Sequence, residues 1–328
     1  MISKRPRQYL PSTKRDFSLN KLKVLITGIS GFLGCALWRY FERSKFNVQV
    51  YGLDKAIKND TRKLFGCDLA KKSKLRPILH SIKPDFIFHL AGGRMPNYKA
   101  LFQSNYLTTK CLLETIMEIR HYSPRVVIPG SAVEYGPSRG SRRRMKETDI
   151  PAPETTYGRI KLKQTHLGLR FAKQGADVII ARIFNVMGEG TPSALAIGQF
   201  AKQIVMIEQG CKEKIIYTKN LEGKRDFLDV DDISAALWAV ARYGQSGEIY
   251  NVCSGRPFEI RKALKKLLSF SRVKKTLVVE NKNSGSSSFD VIGSNAKLRS
   301  ISGWVPQVTL ERSLINTLHW YQNQKNIN

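Results

Sequence analysis

The chain is poor in cysteine and in acid. Its 328 residues include five cysteines, Cys35, Cys67, Cys111, Cys211 and Cys253, none in a Cys-x-x-Cys pair. An odd, scattered set builds neither a disulfide framework nor a zinc site; it fits reduced thiols in a cytoplasm, and no metal is expected. No uncharged apolar run approaches the ~20 residues that cross a membrane, so no membrane insertion is expected. The N-terminus has no apolar h-region, so no secretory signal is expected there. Acid is scarce: 26 Asp and Glu stand against 55 Lys and Arg, a formal net charge of +29. Such an excess raises the question of nucleic acid. The basic residues are spread along the whole chain, however, and no zinc-finger, RNP or helix-turn-helix signature accompanies them. The expectation is a generally basic surface that favours anionic substrates, without a specific nucleic-acid partner.

What is present is an alternation of strands and helices. Apolar runs of strand length occur at Lys23–Gly28, Val48–Asp54, Phe86–Gly92, Val126–Ser131, Asp177–Val186 and Glu248–Gly255. Helical spacing marks Phe32–Arg43, Ala100–Arg120 and Thr156–Lys173. Alternation of this kind predicts an α/β protein with a doubly wound Rossmann parallel sheet and a smaller C-terminal α+β substrate-binding region. The expected division is a basic disordered arm over 1–20, a dinucleotide-binding domain over 21–184, and a substrate-binding region over 185–328, with 226–255 returning to the first domain.

The first strand leads into Thr27-Gly-Ile-Ser-Gly-Phe-Leu-Gly34, with glycines at 28, 31 and 34. Glycines between strand and helix allow a tight turn and close approach to a pyrophosphate, seated on the helix N-terminus. Gly28, Ser30, Gly31, Phe32, Leu33 and Gly34 are therefore candidate cofactor contacts. Asp54 closes the second strand, where a carboxylate accepts from ribose hydroxyls and favours NAD. Lys55 follows and suits a 2′-phosphate, so NAD and NADP both stay open.

Tyr157 and Lys161 are four residues apart, on one face of a helix. An ammonium there is expected to lower the phenol's pKa and make it a useful acid or base.

The Gly-x-x-Gly-x-x-Gly spacing and the segments that follow resemble the extended short-chain dehydrogenase/reductase family, its nucleotide-sugar branch. Cys67-Asp68-Leu69 resembles the adenine-contacting Asp-Leu, and His89-Leu90-Ala91-Gly92 the strand end beside the cofactor. Asn105 stands where that family keeps an asparagine. Ser131-Ala-Val-Glu-Tyr-Gly136 resembles the catalytic serine strand, and Tyr157 and Lys161 the catalytic pair. The resemblance implies cofactor contacts at Asp68, Leu69, Leu90, Ala91, Gly92, Asn105, Tyr157 and Lys161. It also implies proton exchange at Tyr157, ribose binding by Lys161, and orientation of the reacting oxygen by Ser131. A homodimer through the helices after Ala100 and after Tyr157 is implied as well.

Within the family, 4,6-dehydratases carry an acidic pair just after the Ser/Thr. Ala132 and Val133 stand there instead, so dehydration is not expected. The acid at Glu134, the Ala181–Gly190 loop and the Asn220–Leu237 stretch resemble GDP-4-dehydro-6-deoxy-mannose reductases. That implies a substrate site with Glu134, Asn185 and Arg225, the last as a diphosphate contact whose alternative is an ion pair with Asp226 or Asp229. Asp229 and Asp232 are expected to cap a helix beginning near Ile233. Glu189 replaces the usual proline, and Ser287-Ser-Phe-Asp290 lacks the usual arginine. The expected activity is reduction of a GDP-4-dehydro-6-deoxy-hexose; the alternative is a redox-neutral 4-epimerase with tightly held NAD. A binding protein without catalysis has no need of Ser131, Tyr157 and Lys161 together. Surface polysaccharide synthesis is the implied setting. The basic Ser138–Lys146 loop is either a solvated face or a lid that attracts the anionic substrate.

Overall fold

The computed structural model describes residues 21–137, 144–219, 221–273, 276–281 and 290–324. The arm over 1–20 and most of the basic loop, 138–143, lie outside the described residues. Seven parallel strands form the central sheet: β1 (Leu22–Thr27), β2 (Val48–Asp54), β3 (Leu64–Gly66), β4 (Phe86–His89), β5 (Arg125–Ser131), β6 (Asp177–Ile183) and β10 (Ile249–Val252). Their order is β10-β6-β5-β4-β1-β2-β3. Strand order reverses beside β1, which opens a crevice at the carboxyl ends of β1 and β4.

Both faces of the sheet are covered, as near-continuous apolar strands require. Alternation along each strand divides the core: Val24, Ile26, Phe86, Phe88 and Ile179 enter one cluster. Leu25, Ile87, Val126, Ile128 and Ile180 enter the other. Helices α1 (Phe32–Arg43), α7 (Val230–Tyr243) and α9 (Ala296–Ser302) lie on the first face. There Trp238 meets Phe41 and Phe86 edge-on, both at 5.2 Å. Helices α2 (Lys72–Ile82), α4 (Thr108–Glu118) and α5 (Thr156–Lys173) cover the second. A short helix, α3 (Tyr98–Leu101), and a π-helical turn at Phe102–Leu107 run into α4.

The expected strand over Asp177–Val186 is two strands. β6 stops at Ile183; Phe184 is buried against Tyr135, and β7 (Asn185–Met187) joins a second sheet. That sheet runs β11-β9-β7, with β9 at Lys224–Asp229 and β11 at Pro257–Glu259. A third core gathers α6 (Ala196–Glu208), α8 (Ile260–Phe270) and α10 (Leu310–Gln322) beside the pair β8 (Ile215–Thr218) and β12 (Leu277–Glu280). Helix α7 starts at Val230, three residues earlier than expected. Asp229 caps it by accepting from Asp231 N at 2.8 Å. Asp232 is no cap: its carboxylate accepts from Gln307 N and Val308 N, both 2.9 Å, and so ties down the segment before α10.

Candidate active site

The glycine turn fills the space between β1 and β4. Gly28 has φ +73°, and a Cβ there would lie 2.6 Å from Ala91 N. A Cβ on Gly34 would lie 2.2 Å from Gly28 O, so α1 packs directly on the turn. Gly31 caps α1 without a side-chain hydrogen bond, and no acid occupies the first turn. The helix therefore presents uncapped N–H groups to an anion. Ser30 and Gly31 are exposed, Phe32 and Leu33 half-buried, and Gly34 is buried. Asp54 is tied to the same turn, accepting from Ser30 N at 3.1 Å and from Ala56 N at 3.0 Å. Lys55 is exposed beside it. A bare helix terminus, a turn with no room for side chains and an acid at the end of β2 fit a dinucleotide.

The remaining cofactor candidates divide. Leu90 and Ala91 are half-buried and Gly92 is exposed at the end of β4. Asp68 accepts from Ala70 N at 3.0 Å, whereas Leu69 is 5% exposed and belongs to the core. Asn105 sits in the π-helical turn, 1% exposed. Its amide accepts from Gly93 N at 3.1 Å and donates to Gly93 O at 3.0 Å and Leu101 O at 2.9 Å. Its side chain therefore shapes the Gly92-Gly93 loop.

That loop carries Arg94, whose guanidinium lies 5.2 Å from the Tyr157 ring centroid. Tyr157 opens α5, and the next residue explains how close it comes to the serine strand. A Cβ on Gly158 would lie 2.8 Å from Val133 O, in the 3-10 turn Ala132–Glu134 that follows Ser131. Ser131 and Glu134 form a capping box around that turn, with Ser131 N donating to Glu134 Oε1 at 2.7 Å. Lys161 is buried behind, its Nζ donating to Pro129 O at 2.6 Å and to Gln164 Oε1. Ser131, Tyr157 and Lys161 are thus gathered at the carboxyl end of β5.

Two expectations are corrected here. Burial, not the ammonium, dominates the Tyr157 phenol and raises its pKa. The Arg94 charge works against that rise, and Glu134 adds to it. Lys161 is itself pushed down to about 8 by burial, with the Glu134 charge opposing. It spends two of its three N–H groups on Pro129 and Gln164. Second, Glu134 is no surface contact for a substrate. It is 0% exposed, and its Oε2 accepts from Arg182 Nη2 at 2.9 Å and from Thr165 Oγ1 at 2.9 Å. Arg182 also lies over the Tyr135 ring at 4.4 Å. Glu134 holds Ser131 from below.

Asn185 is half-buried and donates to Asp226 O at 3.3 Å. Arg225 is half-buried, donates to Lys224 O at 3.0 Å, and feels the Asp290 charge. The acids expected to compete for it are engaged elsewhere. Asp226 accepts from Ser254 N, Ser254 Oγ and Gly255 N within 2.9 Å, and Asp229 accepts from Asp231 N and Ser313 Oγ. Arg94 was not legible as a site residue in the sequence. Its one signal is a cation placed just after the glycine pair that leaves a cofactor-facing strand.

A parallel sheet with a glycine turn at its switch point and a Ser, Tyr, Lys cluster at the next strand ends defines a Rossmann-fold enzyme class built around a dinucleotide. Residues 24–253 match the NAD dependent epimerase/dehydratase family, and the chain belongs to it. It is 28% identical to the GDP-6-deoxy-D-mannose reductase of Pseudomonas aeruginosa, over 89% of this chain and 94% of that protein. It is 26% identical to the GDP-6-deoxy-D-talose 4-dehydrogenase of Aggregatibacter actinomycetemcomitans, over 76% of this chain and 80% of that one. The structure of RMD from Pseudomonas aeruginosa complexed with NADPH superimposes with a TM-score of 0.80 at 28% identity, covering 92% of this chain and all of that one.

Proposed function

We propose that the protein is an NAD(P)-dependent nucleotide-sugar oxidoreductase that reduces a GDP-4-dehydro-6-deoxy-hexose at C4. The observation that carries this is the Tyr157 ring under Arg94, next to Gly158, which packs on the turn after Ser131, in a fold whose glycine turn fits a dinucleotide. A phenol whose pKa is raised by burial stays protonated at neutral pH, which suits an acid that gives its proton to a carbonyl oxygen. Ser131 orients that oxygen, and Lys161 holds the nicotinamide ribose. When bound, the reduced nicotinamide supplies the hydride. Arg225 and Asn185 serve the diphosphate side of the substrate, Arg225 through the paired bonds a guanidinium makes to phosphate. The names of the two relatives support a GDP-linked 6-deoxy-hexose.

No described helix is long and apolar enough to cross a membrane. Cytoplasmic action in polysaccharide synthesis, as a homodimer, accompanies this proposal. Leu107, 40% exposed, and Met117, 45% exposed, support a dimer face on the Ala100–Arg120 helices.

The test is loss of reduced-nicotinamide absorbance on mixing the protein with GDP-4-dehydro-6-deoxy-mannose and NADH or NADPH. Tyr157→Phe is expected to lower kcat by about 10²–10⁴-fold, the range for losing a positioned proton donor. No consumption, with NAD released on denaturation, would favour the 4-epimerase instead.

A further inference from the structure

Lys161 is 4% exposed, and the acceptors of its ammonium are two neutral oxygens, Pro129 O and Gln164 Oε1. Gln164 is itself 1% exposed and donates from Nε2 to Thr109 Oγ1 at 2.7 Å. Thr109 has one hydroxyl hydrogen, and it goes to Asn105 O at 2.6 Å. The Thr109 oxygen therefore accepts from Gln164 and also from His89 Nε2 at 2.9 Å. His89 in turn carries its proton on Nε2 and accepts at Nδ1 from the Thr27 hydroxyl, 2.9 Å away. Thr27 is the residue before the glycine turn.

Every donor in this chain has one direction. Turning the Gln164 amide over would set NH₂ against the ammonium and carbonyl oxygen against an oxygen with no hydrogen left. A second proton on His89 would face the Thr27 hydroxyl and bring a second cation towards Lys161. Packing alone does not ask for this. An apolar side chain would fill the Gln164 space without the cost of burying an amide.

We propose that Gln164, oriented by Thr109 and His89, is a positioning residue for Lys161: it takes one ammonium N–H, Pro129 takes a second, and the third is left for the ribose. This rests on the reading of Lys161 as the ribose-holding cation. The titratable groups that act on Lys161 are His89 from β4 and Glu134 after β5, the latter paired with Arg182 of β6; Tyr157 stands four residues before it in its own helix. Burial already disfavours the charged lysine, and an oxygen acceptor favours it. Cofactor affinity from the ammonium is present below the Lys161 pKa and lost as pH rises through it.

The experiment is binding of NADH and NADPH, without sugar, by nicotinamide fluorescence between pH 6 and 9.5, with melting temperature in parallel. For the wild type, Kd should weaken as pH rises through about 8. For Gln164→Met the weakening should begin roughly one pH unit lower, giving about threefold weaker binding at pH 7.5 and approaching tenfold at pH 8.5. Gln164→Glu should move the limb to higher pH. Thr109→Val, which keeps the volume and removes the hydroxyl, should shift it in the same direction as Gln164→Met. Superimposable curves for wild type and a folded Gln164→Met would overturn the proposal. If Gln164→Met does not fold, an unshifted Thr109→Val curve does so alone. A wild type that binds neither nucleotide would sink the oxidoreductase reading, and this proposal with it.

Discussion

Tyr157 is pulled two ways: burial raises its pKa and Arg94 lowers it. The arginine reaches it because Asn105 grips both backbone groups of Gly93. Replacing Arg94 by Met removes the opposing cation. The phenol then rises further, and because the protonated form is the working acid, the basic limb of the kcat/KM profile should move to higher pH. The lost cation–ring contact should also weaken catalysis about two- to fivefold, the ordinary worth of such a contact when the cation itself is exposed. A pH–rate profile of Arg94→Met beside the wild type checks both. An unchanged limb would mean that the guanidinium serves only the substrate.

At the scale of elements, the seat for the cofactor is a matter of contact distance. Helix α1 lies so close to its turn that a methyl group on Gly34 meets Gly28 O and the Ile29 Cα at 2.2 and 2.8 Å. Backbone cannot yield as a flexible side-chain tip can. Gly34→Ala should therefore push α1 off β1, lowering stability by about 1–3 kcal/mol, the cost of overpacking, and with it the melting temperature, and weakening NAD(P)H binding measurably. Differential scanning fluorimetry with and without cofactor separates the two losses. A variant with native melting behaviour and native affinity would refute this seating.

For the whole molecule, acid stability turns on a histidine at the centre of the sheet. His89 is 0% exposed, and burial, helped by the Lys161 charge, lowers its pKa to about 3. In the unfolded chain it takes up a proton near pH ~6.5. Between those values the unfolded state binds the extra proton, so stability is fully present above ~6.5 and is lost as pH falls towards 3. The slope from this one group is roughly 1.4 kcal/mol per pH unit. Urea unfolding at pH 7 and at pH 5 should therefore differ by about 2 kcal/mol from this group, and His89→Asn should flatten that difference. An equally steep slope in the variant would assign the acid loss to other groups.

The sequence by itself determined the α/β sheet, the glycine turn with Asp54 and the Tyr157/Lys161 pair. These rest on local periodicity and fixed spacing, and α1 and α5 run over the residues their patterns mark. Tertiary structure decided what depends on who is buried beside whom. The strand pattern over Asp177–Val186 does not show that Phe184 turns inward and sends the chain into a second sheet. Nor does the spacing of Glu134 and Arg182, 48 residues apart, show a buried ion pair beneath Ser131. Periodicity says which face a side chain takes, but not how deeply it is desolvated. For that reason the Tyr157 phenol rises where spacing alone led to the expectation that it falls. The groups that set this environment come from three separate stretches of chain, His89 and Arg94 from one, Thr109 and Gln164 from the others, and they meet only in the fold.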